Sequence, residues 1–287
     1  MRLSVFDDLR LAAWANDDAL VDLTSLVDAH TPPARRMSAL IAGWDRLAER
    51  AADAAERGPR IPACDVTLRA PQPEPSKIVA APVNYHLHRE EMGAVYAGQA
   101  IATIETYAGF CKAPTSVIGP DAAIELPFAD RRTDYEGELG VVIGPLARRI
   151  ARDDALSHVF GYVPLLDITL RGPEDRSFRK SFDTFTPIGP WIVTADEVGD
   201  PGDLSFELRL NGELRQQATT ADLIYDVPRL IELYSLAMTL LPGDLIATGT
   251  PHGVGAIEGG DEIELRIDRV GTLRARVTAR EPSPAAM

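Results

Sequence analysis

Two glutamates at positions 136 and 138 precede an apolar run within residues 131–144, RRTDYEGELGVVIG. Side chains alternate faces along a strand, so Glu136 and Glu138 would point the same way, ~6.6 Å apart along the strand. Like charges this close repel unless a cation lies between them or one carboxyl stays protonated. Mg²⁺, Mn²⁺ and Ca²⁺ prefer oxygen ligands, so any of them suits the pair. A solvated strand end is the alternative that these two residues leave open.

A third acid, Asp167, ends the apolar run at 163–166. Burial of a bare carboxylate is costly, so we expect Asp167 to be paired or bound to a metal. Arg171, four residues later, is its expected charge partner if there is no metal.

An imidazole and a carboxylate are candidates for proton transfer. His88 and Glu91 are three residues apart, and one helical turn would place them side by side. A carboxylate that holds an imidazole is the usual arrangement of a general base. The alternative is the exposed start of a surface helix. Lys180, between Phe178 and Phe182, could be a buried cation near a developing oxyanion, or an ordinary surface lysine.

The stretch TGTPHGVG at residues 248–255 is rich in glycine but lacks the G-K-[ST] ending of a P-loop. We therefore expect its backbone to approach a small ligand closely rather than to bind a nucleotide. His252 lies within this stretch and is interpreted as a loop residue rather than a catalyst.

Composition narrows the class of protein. The 287 residues include 29 Lys and Arg and 43 Asp and Glu, a net charge of −14, which argues against a nucleic-acid or anionic-membrane surface. Cys64 and Cys111 form no C-x-x-C pair, so we expect reduced thiols. The five histidines show no zinc-binding spacing, so a metal would be bound mainly by oxygen. Neither a membrane span nor a signal peptide is evident, which predicts a cytoplasmic protein.

The elements that must position these residues follow from periodicity. Residues 1–30 suggest a β-hairpin, and a helix is predicted from 31 to 58. A proline-rich linker at 59–76 leads to a main body of short strands, with a helix at 227–241 and a hairpin at 261–277. We therefore predict an α+β, mainly β fold, with a small N-terminal α/β domain and linker at 1–72 and a catalytic domain at 73–287.

The chain resembles the fumarylacetoacetate hydrolase family over roughly residues 75–280. The motifs that carry the resemblance occur in the family's order: KIVAAPVNYHLHREEMG, FCKAPTSVIGP, DYEGELGVVIG, GYVPLLDITLRG, RKSFDTFTPIGPWIVTADE, LRLNGELRQ and LLPGDLIATGTPHGVG. The resemblance implies a mixed β-roll or β-sandwich, commonly a homodimer, that binds Mg²⁺ or Mn²⁺, with Ca²⁺ possible in crystals.

The resemblance also implies roles for individual residues. The metal ligands would be Glu136, Glu138 and Asp167, and the catalytic residues His88, Glu91 and Lys180. Substrate contacts would fall on Tyr85, Arg171 and Thr250. The chain departs from the family's R-D-x-Q pattern, because Gly172 replaces the aspartate and Glu174 the glutamine.

Three functions remain open at this point. The first is a metal-dependent hydrolase that cleaves a C–C bond in a β-diketo acid, in the catabolism of small carboxylic or aromatic-derived acids. The second is an isomerase or decarboxylase acting on a 2-hydroxymuconate-type acid or on oxaloacetate. The third is a catalytically weak metal-binding protein that retains the fold. The substrate of an enzyme would be a 2-oxo or 2-hydroxy-dienoic acid.

Overall fold

Strands dominate the structure, a computed structural model that describes residues 1–95 and 103–279. The predicted α+β, mainly β class is confirmed. The strands are β1 (Arg2–Phe6), β2 (Arg10–Trp14), β3 (Ala19–Asp22), β4 (Ile61–Pro62), β5 (Leu68–Arg69), β6 (Ile78–Ala80), β7 (Phe110–Lys112), β8 (Val117–Ile118), β9 (Ala123–Leu126), β10 (Thr133–Tyr135), β11 (Gly137–Ile143), β12 (Val159–Leu166), β13 (Thr169–Leu170), β14 (Thr186–Pro187), β15 (Ile192–Thr194), β16 (Ser205–Leu210), β17 (Glu213–Thr219), β18 (Leu245–Ala247), β19 (Gly255–Ile257), β20 (Glu262–Ile267) and β21 (Gly271–Ala279).

The helices are α1 (Arg36–Ala42), α2 (Trp44–Arg57), α3 (His86–Val95), α4 (Ile104–Tyr107), α5 (Arg176–Arg179), α6 (Ala195–Val198) and α7 (Val227–Ala237). No helix of the described residues is long and apolar enough to span a membrane.

An eleven-stranded mixed sheet forms the centre of the fold, in the order β4-β3-β2-β1-β15-β12-β11-β18-β6-β7, with β5 paired to β1. A five-stranded sheet, β17-β16-β20-β21-β9, lies against one of its faces. Two small sheets, β13-β10-β19 and β14-β8, complete the body.

Strand β11 is buried on both faces, which explains its continuous apolar sequence. Leu139 and Val141 pack with Phe206 and Leu208 of the five-stranded sheet. Val142 points the other way, into a second cluster that contains residues of α1. The strand that carries Glu138 is therefore held between two hydrophobic layers.

The N-terminal segment is more extensive than the predicted hairpin, because β1, β2 and β3 form three antiparallel strands. Strand β1 also pairs with β15, with Leu3 opposite Ile192, so the large sheet extends across the boundary predicted between residues 72 and 73. That boundary stays a prediction. Positions 96–102 and 280–287 of the predicted catalytic domain lie outside the described residues.

Three other predicted elements need correction. The linker at 59–76 contributes β4 and β5, and its Gln72 side chain is buried, donating to the carbonyl oxygen of Gly243 at 2.7 Å. The single helix predicted at 31–58 is two helices, because the chain leaves helical geometry at Gly43. Helix α7 ends at Ala237 rather than 241, since Met238 is extended and Leu240 pairs with Ala147. The hairpin predicted at 261–277 is confirmed as β20 and β21.

Gly137, between the two glutamates, faces the second sheet at very short range. An added Cβ would lie 2.8 Å from Phe206 Cζ and 2.9 Å from Leu208 Cδ1, both in the buried core. Only glycine fits there without moving the strand that carries Glu138.

We predict that Gly137→Ala destabilises the protein by about 1–3 kcal/mol, because the methyl group overpacks a closed core. Its Tm should fall by roughly 2–12 °C in a thermal melt. Gly202→Ala is the matched control, since its Cβ would meet only the Asp200 side chain. Equal Tm values for the two variants would contradict the packing described.

Candidate active site

Strand register brings the three predicted acids together. In the β11–β12 pair, Gly137 lies opposite Leu166, so Glu136 and Asp167 are the next residues outward on each strand. The Asp167 N–H donates to the Glu136 carbonyl oxygen at 2.8 Å. One carboxylate oxygen from each of Glu136, Glu138 and Asp167 lies within 4.8 Å of the others, and all three residues are buried. The solvated strand end is thereby excluded.

Two lysines are buried against these acids. Lys180 Nζ donates to Glu136 Oε2 at 2.7 Å, Asp167 Oδ2 at 2.6 Å and Thr169 Oγ1 at 2.6 Å. Lys112 Nζ donates to Asp167 Oδ1 at 2.5 Å. Lys180 is therefore not a surface lysine. Lys112 was missed, although strand alternation places it on the same face as the apolar Phe110.

The prediction that Arg171 pairs with Asp167 in the absence of a metal is wrong. Arg171 donates instead to Asp134 Oδ2 at 2.7 Å and to Glu136 Oε1 at 3.1 Å. Lys112 and Lys180 are the residues that donate to Asp167. Asp134 is buried and was also missed. Its position two residues before Glu136 continues the same alternation, so the signal was present in the sequence.

The buried groups of this cluster differ in how easily they carry charge. Burial and the neighbouring charge of Asp167 raise the pKa of the Glu138 carboxyl well above its usual range, while Lys180 opposes the shift and Glu136 adds to it. Burial lowers the pKa of Lys112, against the attraction of Asp167. Burial would also lower the pKa of Lys180, but Asp167 and Glu136 outweigh it and raise that pKa. Three carboxylates thus face two ammonium groups and the Arg171 guanidinium, and Glu138 is the acid whose ionisation the site disfavours.

The residues present fit a hard divalent cation. The donors are all carboxylate oxygens, which Mg²⁺, Mn²⁺ and Ca²⁺ prefer. In the described part of the chain no lysine donates to Glu138, whose Oε2 accepts only the Gly249 N–H, at 2.7 Å. A cation bound by Glu136, Glu138 and Asp167 would supply the positive charge that Glu138 lacks.

The His88–Glu91 pair forms as the spacing predicts. Helix α3 places His88 Nδ1 2.9 Å from Glu91 Oε2, and the Gly253 N–H donates to the second oxygen at 3.2 Å. Burial tends to raise the pKa of Glu91, but the hydrogen bonds from His88 and Gly253 outweigh it and lower that pKa. An ionised Glu91 keeps the proton on Nδ1, so Nε2 of His88 is the basic nitrogen.

The loop at 248–255 lies against the acids. Its Gly249 has φ +99°, and an added Cβ would lie 2.8 Å from Asn84 Cβ, so the close approach that glycine permits is to the protein itself. Thr250 Oγ1 accepts a hydrogen bond at 2.9 Å from Gln216, whose Oε1 accepts the Gly137 N–H at 3.0 Å. Gln216 thus joins the loop to the acidic strand. It was missed, and its polar neighbours in the sequence offer no signal.

The substrate-binding roles of Tyr85, Arg171 and Thr250 stay predictions, although the structure places all three residues. Tyr85 is buried, and in the part of the chain that the structure describes its hydroxyl has no hydrogen-bond partner. Burial, with the charge of Glu138 second, raises the pKa of that hydroxyl. His252 lies in the loop, as interpreted from the sequence, and its Nδ1 likewise has no partner among the described residues.

The departures at Gly172 and Glu174 have one physical explanation. Arg131 Nη2 donates to Glu174 Oε2 at 2.8 Å and to the Arg171 carbonyl oxygen at 3.1 Å. A Cβ at Gly172 would lie 2.1 Å from that nitrogen. Glycine therefore leaves room for this Arg131–Glu174 ion pair, since the ends of both side chains would have to move to admit a Cβ at 172.

Comparison with known proteins gives a consistent result. The family described as Fumarylacetoacetate (FAA) hydrolase C-terminal matches residues 77–278. The maleylpyruvate hydrolase of Aquipseudomonas alcaligenes is 41% identical over 280 residues, 95% of this chain and 98% of that protein. The oxaloacetate tautomerase YisK of Bacillus subtilis is 41% identical, over 74% of this chain and 73% of that protein.

A solved structure is similar along almost the whole chain. The crystal structure of maleylpyruvate hydrolase from Sphingobium sp. SYK-6, in complex with manganese (II) ion and pyruvate, has a TM-score of 0.87 and 40% identity. The match covers 98% of this chain and 100% of that one. The likeness therefore includes the N-terminal strands as well as the region of the acids.

We predict that Mn²⁺ stabilises the protein through these acids. At one hundred times Kd, binding to the folded state alone contributes about 2.7 kcal/mol, which raises Tm by roughly 5–11 °C. Glu138→Gln should remove this shift, while Glu213→Gln, an exposed acid on β17, should retain it. A full Mn²⁺-induced shift in Glu138→Gln would exclude Glu138 as a ligand.

A pH dependence follows from Glu138 in the metal-free protein. Its pKa is raised on folding from an ordinary value near 4.5, so ionisation of this carboxyl disfavours the folded state as pH rises above that value. With a chelator present, the Tm of Glu138→Gln should therefore match that of the wild type near pH 4.5. It should exceed the wild-type Tm by an increasing amount as the pH rises toward 8. A Tm difference between the two proteins that does not change with pH would show that Glu138 is not repelled.

Proposed function

Because the chain belongs to the fumarylacetoacetate hydrolase family, we propose that it is a divalent-metal-dependent hydrolase that cleaves a C–C bond in a β-diketo acid of the acylpyruvate type. The observation that carries the proposal is the buried group of three carboxylates with a lysine among them and a histidine–glutamate pair beside them. The relatives named maleylpyruvate hydrolase support the same reaction class.

The resident metal is proposed to be Mn²⁺ or Mg²⁺, held by Glu136, Glu138 and Asp167. Manganese in the Sphingobium structure supports the first, and the all-oxygen donor set accepts either. When bound, the cation supplies Lewis acidity that stabilises negative charge on the 2-oxo acid portion of the substrate. Pyruvate in the same structure supports a 2-oxo acid as the product of cleavage.

The chain's own residues account for the proton transfers. His88, whose Nδ1 lies against Glu91, removes a proton from water with Nε2, and the water oxygen adds to the carbonyl carbon distal to the carboxylate. The C–C bond to the neighbouring CH₂ carbon then breaks, and its electron pair remains on the pyruvate portion as an enolate. The proton held by His88 returns to that carbon. The products are pyruvate and the second carboxylic acid, so atoms and charges balance.

Lys180 is proposed to stabilise the oxyanion that forms as water adds. Its ammonium is buried and remains charged, because Asp167 and Glu136 favour the protonated form. A fixed charge in a site of low dielectric stabilises developing charge more strongly than the same charge in water. Lys112 holds Asp167 in place from the opposite oxygen.

Proton transfer without hydrolysis is the second candidate, favoured by the likeness to an oxaloacetate tautomerase. The same acids and the same base could move a proton between carbon and oxygen of a 2-oxo acid, an isomerisation that needs no attacking water. The products distinguish the two candidates. Hydrolysis releases two acids, whereas tautomerisation leaves the carbon skeleton intact.

Two further parts of the proposal rest on the sequence and on the family resemblance. They are a homodimeric assembly and a cytoplasmic location. Size-exclusion chromatography with light scattering tests the first directly. A monomer at all concentrations would overturn it.

Incubation of the purified protein with Mn²⁺ or Mg²⁺ and acylpyruvates tests the function. We expect release of pyruvate together with loss of the diketo acid's ultraviolet absorbance. Turnover of oxaloacetate between keto and enol forms, with no cleavage of any acylpyruvate, would overturn the hydrolase in favour of the second candidate.

We predict that His88→Ala lowers kcat by about 10²–10⁴, because it removes the general base. The Mn²⁺-induced rise in Tm should remain, since His88 is not among the three acids. His158→Ala, at a partly buried histidine whose ring hydrogen-bonds the Pro145 carbonyl oxygen, should retain wild-type kcat. Undiminished kcat in His88→Ala would remove the dyad from the mechanism.

A further inference from the structure

Arg176 is a cation at the edge of the active site. It begins α5, the one-turn helix that Lys180 terminates, and it is partly buried. Among residues 1–95 and 103–279, no carboxylate forms an ion pair with it. Its neighbour Asp175 is occupied as the helix cap, accepting the Ser177 N–H at 2.8 Å.

Two aromatic rings hold the Arg176 guanidinium. Its Cζ lies 5.5 Å from the ring centroid of Tyr107 and 5.5 Å from that of Phe110. The Phe110 ring is also 5.3 Å from Lys180 Nζ. One ring thus contacts both cations, so Arg176 lies within the reach of a short substrate chain from Lys180.

Aromatic stacking leaves the edge of a guanidinium open. A planar guanidinium on a ring face keeps its N–H groups directed outward, where they can bind a carboxylate with two parallel hydrogen bonds. Tyr107 is 64% exposed, which places this arrangement at the outer end of the site. The rings fix the position of the charge without neutralising it.

The side chains of the other arginines nearby bind groups of the protein itself. Arg171 binds Asp134 and Glu136, and Arg131 binds Glu174. Arg179 donates to the carbonyl oxygens of Glu174 and Leu170 at 2.9 Å and 3.0 Å. Among these four arginines, Arg176 has its charge available.

We propose that Arg176 binds a second carboxylate, at the end of the substrate distal from the metal-binding acids, and so selects β-diketo acids that are dicarboxylic. The inference rests on the proposed function, because it assigns the 2-oxo acid end to Glu136, Glu138 and Asp167. Arg176 is a specificity residue in this account and takes no part in bond cleavage.

The test compares two substrates that differ at that end. Maleylpyruvate carries the distal carboxylate, and acetylpyruvate has a methyl group there. With the wild-type holoenzyme in Mn²⁺, kcat/KM should be higher for the diacid. Arg176→Gln should raise KM for maleylpyruvate about 10- to 100-fold, the range expected for loss of a charged hydrogen bond. It should leave KM for acetylpyruvate and kcat for both substrates near wild type.

Two controls separate recognition from structure. Arg176→Lys keeps the charge but loses the planar fork, so its KM for maleylpyruvate should fall between those of wild type and Arg176→Gln. Arg229→Gln removes an arginine stacked in the same way, 5.2 Å from the Tyr225 ring, and should change neither KM.

The outcomes are distinct. An equal rise in KM for both substrates, or no rise for either, would overturn the role of Arg176 and leave the hydrolase proposal intact. A wild-type enzyme that cleaves acetylpyruvate but not the diacid would do the same. Cleavage of neither substrate by the wild type would overturn the proposed function and this inference with it.

Discussion

Electrostatic repulsion among three buried carboxylates is the constraint on which the site depends. Glu136, Glu138 and Asp167 lie within a few ångströms of each other and away from water. Lys112 and Lys180 donate hydrogen bonds to Asp167, and Lys180 and Arg171 donate to Glu136. Burial and the charge of Asp167 disfavour the ionised form of Glu138, and a divalent cation would recover that free energy. With such a cation bound, the site becomes net positive and suits an anionic substrate despite the acidic chain as a whole.

The fold supplies the rigidity that such a charge arrangement requires. Strand β11 lies between two hydrophobic layers, so the Glu138 side chain cannot move away from its neighbours. The register of β11 with β12 places Asp167 beside Glu136. Gln216 then ties the acidic strand to the loop that carries Thr250, and Asn84 ties the same loop to the start of the helix that carries His88. The acids are therefore positioned by the register of their strands, and His88 by hydrogen bonds that join its helix and Asn84 to the loop at 248–255.

Much of this arrangement could be read from the sequence, because it follows local periodicity. Alternation along one strand paired Glu136 with Glu138, and helical spacing paired His88 with Glu91. Contacts between distant segments could not be read in the same way. The partner of Asp167 was assigned to Arg171, four residues away, whereas the fold brings Lys112 from 55 residues away. The helix break at Gly43 and the sheet that crosses residue 72 depend likewise on tertiary packing. Domain limits and the roles of Tyr85, Arg171 and Thr250 remain predictions.

The proposed function requires that one divalent cation bind these acids and that a 2-oxo acid reach this cation. Electron paramagnetic resonance of Mn²⁺ with the purified protein and pyruvate enriched in ¹⁷O measures both parts together. The account predicts one bound Mn²⁺ per chain, with lines that broaden when the labelled pyruvate replaces the unlabelled. Mn²⁺ that stays free in solution, or bound Mn²⁺ whose lines do not respond to the label, would contradict it.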